Sequence, residues 1–428
     1  MPFKQTVPGS NPGGRTNKKL SPVDPPAGGL LSKRSQVRLP AGRQESWWAH
    51  QRRKNPPVDF FCFVVYNVNM QKKLVIFTGL FLVLVLSGCT FGGAGSSTSA
   101  PVASQKYTLS ESIWISHDAG KKWEASATAT NKPSVTDINP LSLVFDSNDA
   151  NVAYAGLRAG GIIKTKDGGV SWEFLPFKTE KVYGLALDPR DTKIIYVSTV
   201  FNGRGKMAKS LDGGATWNEI YTVATNGPLV VYLVTDKKNA GTIYASTSDN
   251  QIIKSTDGGT AWKNVFEASS PVIKISLDAV DSRLVYLLTK NGEIYFSRNA
   301  GDTFESLTQK ITLTGMLGSG FSVMETDPVK ANWLYLAGRG GIIRTKDAGD
   351  SWEKIIALNN PENSPIGALA INPKNSNELI YGALQATYAS IDGGKTWTTA
   401  QFDLEKVINN LKYNPVSPQT IFASFLGK

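Results

Sequence analysis

The chain has 428 residues, a formal net charge of +11 and a sequence pI near 9.3. The basic excess is confined to the beginning, because residues 1–69 hold 11 Lys and Arg against three acidic residues and Lys72 and Lys73 follow, so nucleic acid is not the expected partner of the remaining, nearly neutral part. Only two His and two Cys occur, at positions 50, 117, 62 and 89, which argues against a His-based metal site and a disulfide framework.

Residues 1–69 are rich in Pro, Gly and Ser and lack apolar periodicity, so they are not expected to fold alone. We expect either that the functional chain begins at Met70 or that residues 1–69 form a dispensable cytoplasmic extension, and we favour the first. Residues 70–88 then have a short basic start, an apolar run at 74–86 and a small-residue cleavage site, the pattern of a signal peptide.

Cys89 directly follows Leu86, Ser87 and Gly88, a sequence that resembles the lipobox of bacterial lipoproteins. The resemblance implies that the Cys89 thiol is acylated and becomes the new amino terminus, which would anchor the protein by lipid in the bacterial cell envelope, outside the cytoplasm. An uncleaved single-pass anchor followed by a stalk is the alternative. Residues 89–107 are rich in Gly and Ser and are predicted to be a flexible tether, and residues 108–428 one large β domain.

Seven copies of one eight-residue phrase follow within this domain. Each copy, called a box below, has Ser or Thr first, an Asp or Asn third, Gly fifth and an aromatic residue eighth. The third positions are Asp118, Asp167, Asp212, Asp257, Asn299, Asp347 and Asp392, spaced by 49, 45, 45, 42, 48 and 45 residues. A fixed period in this range predicts propeller blades, each a small antiparallel sheet.

The residue types of the box are those of a turn that closes a hairpin. An Asp side chain accepts hydrogen bonds from backbone N–H groups just ahead of it, and the Gly supplies a positive φ. The aromatic residue is expected to start the next strand and to pack between blades. A calcium loop is the alternative, but each box offers one reliable carboxylate and the fifth has Asn299, so no metal and no cofactor are expected.

One repeat shows the order of strands that the others follow. Its four strands are predicted at Val182–Pro189, Lys193–Thr199, Met207–Ser210 and Thr216–Ile220, with the box between the third and the fourth. In six repeats the second strand has an apolar residue directly before a Tyr, and these Tyr are predicted to be core residues. They are Tyr154, Tyr196, Tyr244, Tyr286, Tyr335 and Tyr381.

The two ends of the domain complete each other. Only a third strand, Ser112–Ser116, precedes the first box, whereas two further strands, Val407–Asn414 and Thr420–Phe425, follow the last one. The C-terminus is therefore predicted to supply the inner two strands of one composite blade and the N-terminus its outer two, which closes the ring. The predicted fold class is all-β, a seven-bladed β-propeller; a truncated chain that lacks an eighth box is the alternative.

Three turns on the face opposite the boxes carry an Arg flanked by Gly, at Arg158, Arg204 and Arg339. Together they are candidates for gripping a carboxylate-rich surface; ordinary solvated turn residues are the alternative. The longest connection between blades, Leu307–Ser322, is apolar and rich in Gly around Met316, and is a candidate binding loop or lid.

Residues 108–428 resemble the Asp-box or BNR-type seven-bladed propellers. Within these they are most similar to the photosystem II assembly and stability factor family, on the boxes, the Gly-Arg-Gly turns and the lipoprotein-like leader. The resemblance implies a non-catalytic protein that binds a membrane protein complex through an Arg-rich face. Such propellers also occur in bacteria without photosynthesis, so the expected partner is a protein of the cell envelope.

An enzymatic or carbohydrate-binding function is the competing hypothesis, because Asp-boxes also occur in sialidases, xyloglucan-cleaving glycoside hydrolases and sortilin-like receptors. The Arg-Ile-Pro signature of sialidases is absent from the sequence, and no Asp follows Arg158 or Arg339 as in the xyloglucanase turn. Glycoside hydrolysis needs two carboxyl groups beside the bond. The acids found on the connections between blades are Asp137, Glu180, Glu267, Glu362, Asp403 and Glu405, and no pattern singles out a pair.

Overall fold

The computed structural model describes residues 105–108, 112–126, 128–130, 138–313 and 320–427. The predictions for residues 1–69, for the signal peptide at 70–88, for Cys89 and for most of the tether concern residues outside this part of the chain. In the described part, no helix is both long and apolar enough to cross a membrane.

Short strands form nearly all of the regular structure, in the following order along the chain. Four strands that belong to different sheets come first: β1 (Gln105–Thr108), β2 (Ile113–Ser116), β3 (Glu124–Ala125) and β4 (Thr128–Thr130). Blade 2 contains β5 (Pro140–Phe145), β6 (Ala153–Leu157), β7 (Ile162–Thr165) and β8 (Ser171–Phe174). Blade 3 contains β9 (Lys181–Leu187), β10 (Ile195–Phe201), β11 (Arg204–Ser210) and β12 (Asn218–Thr222). Blade 4 contains β13 (Val230–Thr235), β14 (Ile243–Thr247), β15 (Gln251–Ser255) and β16 (Lys263–Glu267).

The second half of the chain repeats the pattern. Blade 5 contains β17 (Val272–Leu277), β18 (Val285–Thr289), β19 (Ile294–Ser297) and β20 (Glu305–Ser306). After helix α1 (Thr308–Leu313), blade 6 contains β21 (Phe321–Thr326), β22 (Leu334–Gly338), β23 (Gly341–Thr345) and β24 (Glu353–Ile355). Blade 7 contains β25 (Ile366–Asn372), β26 (Asn375–Ala383), β27 (Ala386–Ser390) and β28 (Thr398–Asp403), and β29 (Val407–Tyr413) and β30 (Ile421–Leu426) complete the chain.

The described strands form seven sheets, each built on four antiparallel strands, and the predicted seven-bladed β-propeller is confirmed. The first strand of each blade contacts the first strands of both neighbouring blades, so β5, β9, β13, β17, β21, β25 and β29 surround a common axis. Blade n carries the nth box between its third and fourth strands. A β-bulge lies in every first strand, where one residue has no partner on the second strand.

Blade 1 is the composite blade, and it joins the two ends of the domain in the predicted order β29, β30, β2, β3. Ile113 to Ser116 pair with Ser424 to Ile421 in antiparallel register. The Asn409 side chain then donates to the Pro140 carbonyl of blade 2 at 2.7 Å. The closing blade is therefore tied to its neighbour as well as to itself.

Two strands outside the repeats extend two of the sheets. Strand β1 runs parallel to β28 on the outside of blade 7, and β4 runs parallel to β8 on the outside of blade 2. Part of the predicted tether thus forms a strand at Gln105–Thr108. The proposed domain boundary at residue 108 stays a prediction.

The core lies between neighbouring blades. The six Tyr of the second strands are at most 2% exposed, which confirms them as core residues. Among the aromatic residues of the boxes, Trp123, Trp172 and Trp397 are buried. The other four are half-buried, namely Trp217, Trp262, Phe304 and Trp352.

Candidate binding face

The propeller has two faces with different content. The box face carries the boxes and the turns between first and second strands. The opposite face, called the hairpin face below, carries the turns between second and third strands and the connections between blades. In blades 2 to 6 the backbone of each such turn bonds to the connection that leads into its blade, as in the Arg158 N–H to Asn139 carbonyl and the Arg339 N–H to Gly320 carbonyl. Turns and connections therefore form one continuous surface.

The boxes make the same hydrogen bonds in all seven copies. The first Ser or Thr donates to the Asp or Asn oxygen and accepts from the Gly N–H, as in Ser210, which lies 2.8 Å from both Asp212 and the Gly214 nitrogen. The Asp or Asn oxygen also accepts the N–H four residues ahead, as Asp212 does from Thr216 at 2.8 Å. In each box, the residue directly after the Asp or Asn donates its N–H to a backbone carbonyl at or near the turn between the first and second strands of the same blade. These polar groups of each box are therefore hydrogen-bonded within the box or to the adjacent turn.

This hydrogen bonding favours the ionised box carboxylates. The Thr216 hydroxyl and N–H lower the pKa of Asp212 to about 2. The same donors from Thr396 lower the pKa of Asp392. Partial burial opposes ionisation of Asp167, but bonds from Ser171 and Thr165 outweigh it and lower the pKa of that carboxyl too.

A second set of turn residues was not identified from the sequence, although the Asp-Pro and Asn-Pro pairs that end several first strands were a signal. At the end of every first strand an Asp or Asn side chain accepts the N–H two residues ahead. These residues are Asp146, Asp188, Asp236, Asp278, Asp327, Asn372 and Asn414, and all are buried. These side-chain hydrogen bonds fix the turns of the box face, and the described residues of the hairpin face do not have this set of bonds.

The three candidate Arg residues all lie on the hairpin face, but not together. Arg158 follows β6 in blade 2, and Arg204 begins β11 in the adjacent blade 3. Arg339 lies in the turn of blade 6, across the ring. Arg158 and Arg204 are half-buried and Arg339 is exposed. The arrangement is a pair of neighbouring Arg residues and a distant third.

The hairpin of blade 3 is longer than its counterparts on this face. Strands β10 and β11 have seven residues, whereas the second strands of blades 2, 4, 5 and 6 have five. Ile195 pairs with Ser210 and Ile243 with Ser255 at the box, so the hairpin of blade 3 is three residues longer than that of blade 4, which extends it by roughly 5 Å at the hairpin face. Phe201 stands at the end of β10, 38% exposed, with the Lys206 ammonium 5.4 Å from its ring centre.

The tip of this hairpin explains the Gly beside Arg204. Asn202 and Gly203 both have positive φ, +52° and +67°, as the two-residue turn of a tight hairpin requires. A Cβ on Gly205 would lie 2.9 Å from the Pro228 carbonyl oxygen, because the next connection passes close by. Arg204 is held between these two constraints, and its Nε is buried without a hydrogen-bond acceptor among the described residues.

The Gly residues around the other two Arg residues also serve the fold. A Cβ on Gly160 would lie 2.0 Å from the Thr179 carbonyl oxygen, and one on Gly338 would lie 2.2 Å from that of Gly320. These glycines let each turn approach the connection into its blade or the next one. Their presence beside Arg158 and Arg339 is therefore no sign of a partner by itself.

The predicted binding loop Leu307–Ser322 is partly built into the core. Leu307 and Ile311 are fully buried between blades 5 and 6, and residues 308–313 form the helix α1. Lys310 on that helix pairs with Asp350 at 2.8 Å. Met316 and its neighbours at 314–319 lie outside the described residues, so a role for Met316 stays a prediction.

The carboxylates of the hairpin face are exposed in most cases. Glu180, whose Oε1 accepts the Gly203 N–H at 3.2 Å, Glu267, Glu362, Asp403 and Glu405 are all exposed, and Asp137 lies outside the described residues. The turns of blades 4 and 5 add Asp249, which is exposed, and Glu293, which is half-buried and accepts the Ser269 hydroxyl. Among described residues, no group of three or more His, Cys, Asp or Glu could hold a metal ion.

No known protein-family model matches this chain. A curated relative, a xyloglucanase from Hypocrea jecorina (strain QM6a), is 27% identical over 206 residues, which are 46% of this chain and 23% of the relative. The GH74 xyloglucanase from Xanthomonas campestris superposes with a TM-score of 0.55 at 17% identity, over 68% of this chain and 51% of that one. The chain thus spans less than a quarter of the curated relative and about half of the solved xyloglucanase.

Two YCF48 structures are similar over almost their whole length. YCF48 bound to a D1 peptide has a TM-score of 0.52 at 15% identity, over 76% of this chain and 99% of that one. YCF48 from Cyanidioschyzon merolae has a TM-score of 0.53 at 15% identity, over 67% and 96%. At these identities the likeness establishes the propeller fold that the chain shares with both groups.

Proposed function

We propose that this protein is a non-catalytic propeller that binds a protein segment on its hairpin face and scaffolds a protein complex in the cell envelope. The observation that carries the proposal is the hairpin of blade 3, which presents the exposed Phe201 beside Arg204 at the end of an extended strand pair. Aromatic and Arg side chains are the residues that most often dominate protein interfaces.

The charges around this hairpin favour an acidic segment. Arg158 and Lys178 lie on a turn and a connection of blades 2 and 3, and Lys181 and Arg204 begin strands of blade 3. The carboxylates nearby are Glu180 and Glu219, and Glu219 pairs with Lys206. Guanidinium groups form charge-assisted, bidentate hydrogen bonds with carboxylates. The YCF48 structure with a D1 peptide supports the proposal, since a propeller of similar length has been solved with a peptide bound.

Attachment to the membrane through a lipid on Cys89 is part of the same proposal. A lipid anchor followed by the tether would hold the propeller near integral membrane proteins without fixing its orientation. Mass spectrometry of the purified amino terminus tests this part. An acylated Cys89 supports it, and an amino terminus upstream of Met70 contradicts it.

The test of the main proposal is a crosslinked pull-down from host membranes, read by mass spectrometry. The wild type is compared with Arg158→Ala/Arg204→Ala, with Phe201→Ala, and with Arg339→Ala for the distant side of the ring. Arg190→Ala is the matched control, because Arg190 is exposed in blade 3 but on the box face. Loss of a defined envelope complex in the first two variants but not in the control is the expected result. Equal recovery from all variants would place binding elsewhere.

Glycan binding or hydrolysis is the second candidate, favoured by the 27% identity to a xyloglucanase. In the most specific version of this hypothesis, the two catalytic carboxyl groups are those of Asp249 and Glu293, which lie on the hairpin face of adjacent blades. Xyloglucan incubated with the wild type and with Asp249→Asn/Glu293→Gln should release no reducing sugar in either case if the main proposal holds. Hydrolysis by the wild type that disappears in the double variant would establish the enzyme instead.

A further inference from the structure

Three charged side chains meet around the propeller axis, near its box-face end, and a fourth lies near enough for two of them to act on its charge. Lys274, Glu325 and Lys412 lie on the first strands of blades 5, 6 and 1, and Lys237 lies in the turn after the first strand of blade 4. The Lys274 and Lys412 ammonium groups lie 2.9 and 3.1 Å from the same carboxylate oxygen, Oε1 of Glu325. Lys412 thus reaches blade 6 past the intervening blade 7.

This cluster carries more positive charge than its carboxylate neutralises. Three ammonium groups face one carboxylate, which leaves a net charge of two among these four residues. The Lys274, Glu325 and Lys412 side chains are 19%, 21% and 35% exposed, and because they lie on the innermost strands, that exposure is to the space around the axis. Like charges in a cleft with protein walls focus an attractive potential for anions.

The lysines also have hydrogen-bond donors to offer. Each ammonium carries three N–H groups. Lys274 and Lys412 share one carboxylate oxygen, Lys274 also interacts with Tyr232, and no hydrogen bond among the described residues uses the Lys237 ammonium. Surrounding protein lowers the pKa of Lys237, and the nearby Lys412 lowers it further. An anion beside these lysines would relieve that repulsion.

We infer that the box-face end of the axis is a binding site for a small oxyanion such as phosphate or sulfate, held by Lys237, Lys274 and Lys412. Lysine acts as a point-charge ligand of phosphate, and a tetrahedral oxyanion offers an acceptor to each of three converging donors. The site lies on the face opposite the proposed protein-binding surface and is independent of it.

The test is isothermal titration of the full-length protein with inorganic phosphate and with sulfate, at constant ionic strength set with chloride. Lys237→Met removes the lysine that does not bond Glu325, and about a tenfold loss of phosphate affinity is expected. Lys238→Met is the matched control, since Lys238 is the next residue of the same turn and both lysines are exposed. Glu325→Gln removes the competing carboxylate and should tighten binding several-fold.

Saturable binding of phosphate that weakens in Lys237→Met but not in Lys238→Met supports the site. Equal binding of sulfate would assign it to tetrahedral oxyanions in general, and binding of phosphate alone would assign it to phosphate. The absence of saturable binding of either anion, or equal affinities of Lys237→Met and the wild type, would overturn the inference. Thermal unfolding of each variant without anion verifies that the ring is intact.

Discussion

Asn299 takes the place of Asp in the fifth box and accepts the same two hydrogen bonds as the six carboxylates. Its Oδ1 lies 2.8 Å from the Ser297 hydroxyl oxygen and 2.9 Å from the Thr303 nitrogen, and its Nδ2 donates to the Thr303 hydroxyl. The turn therefore needs the acceptor geometry of the side chain and not its charge. This natural difference among the boxes defines what a substitution in another box should do.

We predict that Asp347→Asn lowers stability at pH 7 less than Asp347→Ala does, and that the Ala variant loses about 1 kcal/mol. The Ala variant leaves the Thr345 hydroxyl and the Ser351 N–H without their acceptor. Urea unfolding of both variants measures the difference. Equal losses would show that the negative charge itself matters.

The same residue predicts how stability depends on pH. Partial burial opposes ionisation of Asp347, but its bonds to Ser351 and Thr345 outweigh burial and lower its pKa below the ordinary value. Since the folded-state pKa is the lower one, the stabilisation is present above the unfolded-state pKa near 4 and is lost as pH falls through the folded-state pKa. Asp347→Asn should therefore lose less stability than the wild type when unfolding is repeated at pH 3.

The box Trp residues differ in burial, and substitutions should cost accordingly. Trp172 is 1% exposed, packs against Phe422 of blade 1 and donates to the Ser126 hydroxyl at 2.8 Å. Trp352 is half-buried and, among the residues that the structure describes, hydrogen-bonds only to the Gly349 carbonyl of its own box. Trp172→Ala should destabilise the fold by about 3–5 kcal/mol and Trp352→Ala by clearly less. Chemical unfolding curves decide, and equal losses would contradict this ranking.

At the scale of strands, a Lys before the box links one blade to the next. Lys254, just before the fourth box, lies opposite Tyr244 with its ammonium 5.2 Å from the ring centre, and donates at 2.8 Å to the Ala300 carbonyl of the fifth box. Lys209 repeats this with Tyr196 and the Gly258 carbonyl at 3.1 Å. Blades 3 and 4 thereby each hold the box turn of the next blade.

Lys254→Met is expected to cost about 1–2 kcal/mol of stability. The Met side chain keeps the apolar contact with Tyr244 but loses the cation–π contact and the charge-assisted bond to Ala300. Lys263→Met is the control in the same blade, since Lys263 is exposed at the start of β16. Equal shifts of the melting temperature in both variants would show that the Lys254 link between blades does not stabilise the fold.

The strands were predictable because the box recurs at a regular spacing. The residues at which the strands begin and end were harder to predict. The period, the strand order and the composite blade all follow from the seven boxes and the two unmatched ends. The third strand of blade 3 begins at Arg204 and not at the predicted Met207, because the Asn202-Gly203 turn extends the hairpin. The Gly residues near the arginines suggested accessibility, but the close approach of the connections explains them.

For the molecule as a whole, the sequence could place Arg158, Arg204 and Arg339 on one face but not tell how they are spread around it. The cluster of charges at the axis could not be predicted from the sequence for a related reason. Lys274 and Lys412 are 51 and 87 residues from Glu325 in the chain. A shift of one residue moves a side chain to the other side of a strand, and the bulge in every first strand makes that shift.

The ring itself is closed by the C-terminal strands, and this gives a prediction for the whole fold. Strands β29 and β30 are the inner half of blade 1, and Ile421, Phe422 and Phe425 on β30 are fully buried. Their removal would expose the first strands of blades 2 and 7 to water and leave β2 without its inner partner strand. Because each blade is stabilised by both neighbours, a chain that ends at residue 406 should lose cooperative thermal unfolding altogether. Deletion of residues 105–108 removes only β1 from the outer edge of blade 7, so that variant should keep one cooperative transition at a slightly lower temperature. Calorimetry of both variants tests this, and a cooperative transition in the chain without β29 and β30 would show that the propeller does not need a closed ring.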